Sequence, residues 1–63
     1  MNEVNYLSTK QAAEHLHLSE KTMEKWRSHG TGPRFFKFGA LVRYRLSDLD
    51  AWAEQRAHPH TNV

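Results

Sequence analysis

Positively charged side chains are concentrated in the middle of the chain. Residues 19–45 contain seven lysine and arginine residues against two carboxylates, a net charge of +5. Residues 1–18 carry a net charge of −1 and residues 46–63 a net charge of −2. A basic segment between acidic ends is typical of a protein that binds a polyanion, DNA or RNA. A solvated surface with scattered charge is the alternative interpretation.

Two of these cations lie one turn apart in a segment with helical periodicity. Lys21 and Lys25 point away from the apolar side of that segment, which makes them candidates for contacts with guanine edges or phosphates. Thr22 is a candidate for contact with a phosphate or a thymine methyl group, or else for satisfying the helix cap near Ser19. The predicted contact residues of this helix are Ser19, Lys21, Thr22, Lys25 and Ser28.

A second group of cations lies in a segment with strand-like alternation. Lys37, Arg43 and Arg45 alternate with aromatic and β-branched residues, and they are candidates for contact with phosphates or the minor groove. The alternative for Arg45 is an ion pair with Asp48 or Asp50.

Four further residues are predicted to make peripheral contacts. Thr9, Arg27 and Arg34 are candidates for contact with a nucleic-acid backbone, although Arg34 follows a proline and could instead cap its loop. Leu41 lies near the tip of the strand-like segment. It is a candidate for contact with another protein, such as a neighbouring copy on DNA, but folding back onto the core is the favoured alternative.

A helix-turn-helix is predicted to position the first group of cations. Residues 8–11 read S-T-K-Q, a capping box that begins a helix, and that helix must end near His17. A second cap follows at once at Ser19, and Gly30 is placed to end the second helix. So short a connection favours steeply crossed helices, although an ordinary αα-hairpin is the alternative. The apolar faces comprise Ala12, Ala13, Leu16, Leu18, Met23 and Trp26.

A β-hairpin and a third helix complete the predicted domain. Residues 34–45 alternate about Gly39-Ala40 as a hairpin does. Ser47 is predicted to begin a helix whose apolar stripe is formed by Leu49, Trp52 and Ala53. The predicted order is (β)-α-α-β-β-α, a mainly helical winged helix-turn-helix over residues 6–57, with flexible tails at 1–5 and 58–63.

The sequence resembles the excisionase and AlpA-type group of small DNA-binding proteins, with a MerR-like winged helix. The matching stretches are L-S-T-K-Q-A-A-E-H-L at 7–16, L-S-E-K-T-M-E-K-W at 18–26, G-P-R-F-F-K-F-G at 32–39 and V-R-Y-R-L-S-D-L-D-A-W at 42–52. The resemblance implies a double-stranded DNA-binding protein of a prophage, plasmid or integrative element. It implies base and phosphate contacts by Lys21, Thr22, Lys25 and Ser28, and wing contacts by Lys37 and Arg43.

Two positions depart from the pattern of that group. His17 stands where the turn usually has glycine, a position that often adopts positive φ. The wing tip reads Gly39-Ala40-Leu41, whereas arginine is common there in the group.

The sequence argues against several other classes of protein. There is no cysteine, no apolar run as long as the roughly 20 residues of a membrane span, and no signal-peptide pattern at the start. The histidine pairs at 15 and 17 and at 58 and 60 lack metal-site spacing. No nucleophile elbow or phosphate-binding glycine loop is present. We therefore expect a cytoplasmic protein that has no enzymatic activity, cofactor or metal.

Three functions fit this interpretation. The first is a recombination directionality factor that binds repeated DNA sites cooperatively with neighbouring copies of itself and bends DNA beside an integrase. The second is a small transcriptional regulator of a mobile element, which would use the same residues. The third is a protein-interaction adaptor that does not bind DNA, and the net charge of +5 over residues 19–45 argues against it.

Overall fold

The structure, a computed structural model, describes residues 5–56. The predicted tails at residues 1–5 and 58–63 lie outside the described residues, apart from Asn5. Within that range the order of elements is that of a winged helix-turn-helix, which confirms the predicted fold. The elements are β1 (Tyr6–Leu7), α1 (Thr9–Leu16), α2 (Glu20–Ser28), β2 (Phe36–Phe38), β3 (Leu41–Arg45) and α3 (Leu46–Arg56).

The helix α1 begins with the predicted capping box. The Ser8 hydroxyl accepts a hydrogen bond from the Gln11 amide at 3.1 Å, and the Gln11 side chain accepts one from the Ser8 amide at 2.9 Å. Two backbone donors that the helix leaves unpaired are thereby satisfied within four residues. The start of α1 is therefore encoded locally.

Both α1 and α2 end in the same type of backbone turn. After α1, His17 adopts φ 59°, and the amides of His17 and Leu18 donate to Glu14 and Ala13 at 3.1 and 2.8 Å. After α2, Gly30 adopts φ 72° and makes the equivalent turn. These are Schellman motifs, which satisfy the last carbonyls and stop the helix. The positive φ expected at His17 is confirmed.

The strands form one small antiparallel sheet in the order β1-β3-β2. Phe36 lies opposite Arg43 and Phe38 opposite Leu41, so the two-residue turn Gly39-Ala40 joins β2 to β3. Gly39 has φ 65° and Ala40 is not among the positive-φ residues, which are the signs expected of a type II′ turn. The β2–β3 hairpin is hereafter called the wing.

The core lies between the helices and the inner face of the sheet. Five side chains are fully buried there, and partly buried neighbours such as Leu16 and Phe35 pack against them. The rings of Trp26 on α2 and Trp52 on α3 are 5.2 Å apart and link these two helices. The two small residues on α1 allow α2 to approach closely, as predicted. The buried hydrophobic residues of this core are Ala12, Ala13, Met23, Tyr44 and Leu49.

The third helix begins one residue earlier than the predicted Ser47. It starts at Leu46, directly after the last residue of β3, with no loop between them. The Leu46 amide donates a hydrogen bond to the Asn5 carbonyl at 2.9 Å. This contact comes from a distant part of the chain, so local sequence could not indicate it.

Candidate nucleic-acid interface

The N-terminus of α2 is fixed by a cap that uses two of the predicted contact residues. The Ser19 hydroxyl accepts a hydrogen bond from the Thr22 amide at 3.1 Å, and the two side-chain oxygens are 2.8 Å apart. The predicted capping role of Thr22 is therefore confirmed. Contact of Ser19 or Thr22 with DNA stays a prediction.

The outward face of α2 is polar and presents both lysines. Met23 is fully buried and turns α2 so that Lys21, Lys25 and Ser28 are exposed. Among residues 5–56, neither lysine forms an ion pair, with Glu24 or with any other carboxylate. Both ammonium groups are therefore available for an external anion. A helix with an exposed, polar and cationic face of this kind can enter the major groove of DNA.

The wing has the alternation that the sequence predicts. Tyr44 is buried and Val42 half-buried on the side facing the core, whereas Arg43 and Arg45 lie on the other side. Lys37 is exposed and lies opposite Val42 in the hairpin. The wing therefore has Arg43 and Arg45 on its outer face and Lys37 on the face of Val42.

The two wing arginines are engaged within the protein. Arg43 donates a hydrogen bond from Nη1 to the Val42 carbonyl at 2.7 Å. Nε of Arg45 lies 3.5 Å from Oδ2 of Asp48, an ion pair without hydrogen-bond alignment. The alternative that Arg45 pairs with Asp48 is confirmed, and contact of either arginine with DNA stays a prediction.

Asp50, the other predicted partner of Arg45, lies elsewhere. Its Oδ1 is 2.7 Å from Nε2 of His15, which links α3 to α1. Both side chains are substantially exposed, so this contact adds little to stability. No spacing rule connects two residues 35 positions apart, and the pair was not predicted.

Arg27 occupies a bridging position that the sequence did not reveal. Its Nη1 donates to the Thr9 hydroxyl at 3.1 Å and to the Tyr44 hydroxyl at 3.0 Å. Its guanidinium also lies 5.7 Å from the centre of the Phe35 ring. One side chain of α2 therefore connects α1, α2 and β3. Contact of Thr9 and Arg27 with a DNA backbone stays a prediction.

An aromatic cluster on the outer face of the sheet was also missed. The ring of Tyr6 contacts those of Phe36 and Phe38 edge-on, at centre distances of 6.0 and 5.4 Å. The guanidinium groups of Arg34 and Arg45 lie over the Phe36 ring at 5.2 and 4.9 Å. Arg34 therefore packs on an aromatic ring, and its contact with a phosphate stays a prediction. The alternation of aromatic and charged residues in β2 was the only sequence signal that could have indicated this cluster.

Leu41 does not fold back onto the core. Its side chain is 55% exposed, so that alternative is wrong. The reason is register: Leu41 lies on the same face as Arg43 and Arg45, opposite Phe38, whereas Val42 and Tyr44 take the core side. Contact of Leu41 with another protein stays a prediction.

Among residues 5–56, no group of three or more histidine, cysteine or acidic side chains is arranged to hold a metal ion. His58 and His60 lie outside the described residues. None of the described helices is long and apolar enough to cross a membrane.

Comparison with known proteins agrees with this geometry. A family model described as a helix-turn-helix domain matches residues 6–57. No curated protein matches the chain. The matched range includes both capped helices, the turn between them and the wing. The protein therefore belongs to the helix-turn-helix domain family, and it carries that family's DNA-binding architecture.

Proposed function

We propose that this protein is an excisionase-type recombination directionality factor. It binds repeated sites on duplex DNA together with neighbouring copies of itself and bends the DNA, which assists a site-specific integrase in the cytoplasm. The observation that carries the proposal is a pair of exposed lysines on α2 that form no ion pair within residues 5–56, beside a wing that also bears cations. Lys21 and Lys25 contact the major groove, while Lys37 contacts the adjacent backbone.

The small size of the interface supports cooperative binding. A single module of this kind buries about 600–1,000 Å² of protein surface on DNA, which gives modest affinity. Within residues 5–56 the longest helix has 11 residues, too short for a coiled coil of three to four heptads. High occupancy therefore requires several adjacent copies or a partner such as the integrase.

A small transcriptional regulator is the second candidate. It uses the same lysines and the same wing, so it predicts the same DNA complex. It differs in outcome, because the complex would then control a promoter and excision would not depend on the protein. The exposed apolar tip of the wing, at Phe38 and Leu41, favours a role in DNA architecture or assembly over simple operator occupancy.

The test is a gel-shift titration at two salt concentrations on duplexes that the protein selects from a random-sequence pool. The variant Lys21→Ala with Lys25→Ala is compared with Lys10→Ala with Arg56→Ala, which removes the same charge from exposed positions of α1 and α3. We expect stepwise, salt-sensitive complexes that only the α2 variant loses. A lysine that makes a good bidentate contact with a guanine edge contributes about 1–3 kcal/mol of discrimination against the wrong base.

Two results would contradict the proposal. Equal losses in both variants would show that net charge, and not α2, accounts for binding. No complex at low salt would favour a protein-interaction adaptor. A bend measured by circular permutation, and excision by an integrase that depends on the protein, would distinguish the directionality factor from the regulator.

A further inference from the structure

The tip of the wing exposes two large apolar side chains. Phe38 and Leu41 lie directly opposite each other, on either side of the Gly39-Ala40 turn, and are 50% and 55% exposed. No other large apolar side chain in residues 5–56 is as exposed. Contiguous apolar surface at the end of a projecting hairpin is a feature of binding sites.

The apolar pair is supported from behind. The Tyr6 ring contacts Phe38 edge-on at 5.4 Å and Phe36 at 6.0 Å. Phe36 in turn lies beneath the guanidinium groups of Arg34 and Arg45. The cluster limits the freedom of the Phe38 ring before any ligand binds. Less conformational entropy is therefore lost when the ring enters a binding site.

The surroundings of the tip are cationic. Strands β2 and β3 contain three cations and no carboxylate. Arg43 lies on the same face of the hairpin as Leu41, and the exposed Lys37, next to Phe38 in β2, lies on the other face, opposite Val42. Side chains that enter the minor groove and part the bases combine apolar groups of this kind with cations that contact the flanking phosphates. The charge of the wing therefore matches a nucleic acid.

We infer that Phe38 and Leu41 form a wedge that enters the minor groove and unstacks one base step. The inference rests on the proposed function, since it requires that α2 and the wing bind duplex DNA together. It adds the way in which the DNA is bent. An apolar wedge kinks the duplex toward its major groove, the groove that α2 occupies in the proposed complex. It also gives the apolar wing tip a role that an arginine tip would not have.

The wedge predicts a preference for flexible steps. Unstacking a step takes a few kcal/mol, and pyrimidine–purine steps such as TA and CA are the easiest to kink. The site under the wing tip is therefore selected by its deformability and not by hydrogen bonds to its bases.

The experiment uses the full chain and selected duplexes in which 2-aminopurine replaces one adenine at a time. Unstacking raises the fluorescence of 2-aminopurine. Wild-type protein is compared with Phe38→Ala/Leu41→Ala and with Phe38→Leu/Leu41→Met, which retains apolar bulk. Urea unfolding of each variant tests whether it folds. We expect both variants to fold, because the two substituted positions are exposed.

We expect wild-type protein to raise fluorescence at one base step and to bend the duplex. The alanine variant should lose both signals while its affinity falls by less than about tenfold, because the apolar burial it gives up is offset by the unstacking it avoids. The Leu/Met variant should retain both signals.

Three results would overturn the inference. A complex that forms without any rise in fluorescence would exclude the wedge and leave the proposed function intact. Loss of only the second and later complexes in the alanine variant would assign the tip to contact between copies. A wild-type protein that binds no duplex at low salt would contradict the wedge and the proposed function together.

Discussion

The outward faces of α2 and of the wing differ in chemistry although both lie on one small core. The face of α2 presents Lys21 and Lys25, which have no ion-pair partner among the described residues 5–56. The wing engages Arg45 with Asp48 and Phe36 and leaves Phe38 and Leu41 exposed. The first surface suits charged and hydrogen-bonding contacts, and the second suits apolar contact. The comparison shows that a charge count alone gives an incomplete description of a nucleic-acid interface.

The salt dependence of binding distinguishes the two surfaces. Loss of Lys21 and Lys25 should reduce the slope of log affinity against log salt by about 0.9 for each lysine that neutralises a phosphate. Loss of Phe38 and Leu41 removes no charge, so that slope should stay at its wild-type value. Fluorescence anisotropy titrations over a series of salt concentrations measure both. If the wing variant changed the slope as much as the lysine variant, the two surfaces would not differ in how far their binding depends on charge.

The variant Arg27→Met tests the hydrogen bond from Arg27 to Tyr44 that connects α2 to the wing. Methionine keeps packing against Phe35 but leaves the buried Tyr44 hydroxyl without its donor. We expect the free energy of unfolding to fall by about 2 kcal/mol, within the range for a buried polar group that loses its partner. Urea unfolding measures the change.

The control for this variant is Tyr44→Phe, alone and combined with Arg27→Met. Removing both partners should restore part of the stability, since no unsatisfied hydroxyl then remains. Strictly additive losses in the double variant would contradict a direct interaction between Arg27 and Tyr44.

The smallest expected effect comes from a substitution in the turn between α1 and α2. His17→Gly should raise the free energy of unfolding by about 1 kcal/mol, because a left-handed conformation is unfavourable for a residue with Cβ. The matched control is Gly30→Ala, whose added Cβ meets no atom within 4 Å. This variant should be destabilised by a similar amount. Shifts in the urea midpoint at an unchanged denaturant slope measure the change in stability of both variants. If His17→Gly left the free energy of unfolding unchanged, the histidine would make a compensating contact.

Local signals allowed much of the fold to be predicted. The capping box at Ser8, the cap at Ser19 and the glycine at position 30 each act over a few residues, and all three are present as expected. The hairpin about Gly39-Ala40 and the exposed lysines of α2 follow from periodicity alone. These are short-range interactions that a sequence expresses directly.

The features that could not be predicted depend on contacts between distant segments. The start of α3 is tied to Asn5, and the bridge made by Arg27 joins three elements. The aromatic cluster exists because β1 pairs with β3 and brings Tyr6 to the wing. A single sequence does not specify such registers.

The bridge from Arg27 to Tyr44 has a consequence for the target DNA. It connects α2 to the wing through one hydrogen bond of 3.0 Å. Successive base pairs are about 3.4 Å apart along the duplex, so adding one between the two contacted regions shifts them by more than such a bond can stretch. In the proposed DNA complex, α2 and the wing therefore contact two subsites at a fixed spacing. The proposed target is then defined by the spacing of these two subsites as much as by the bases within them.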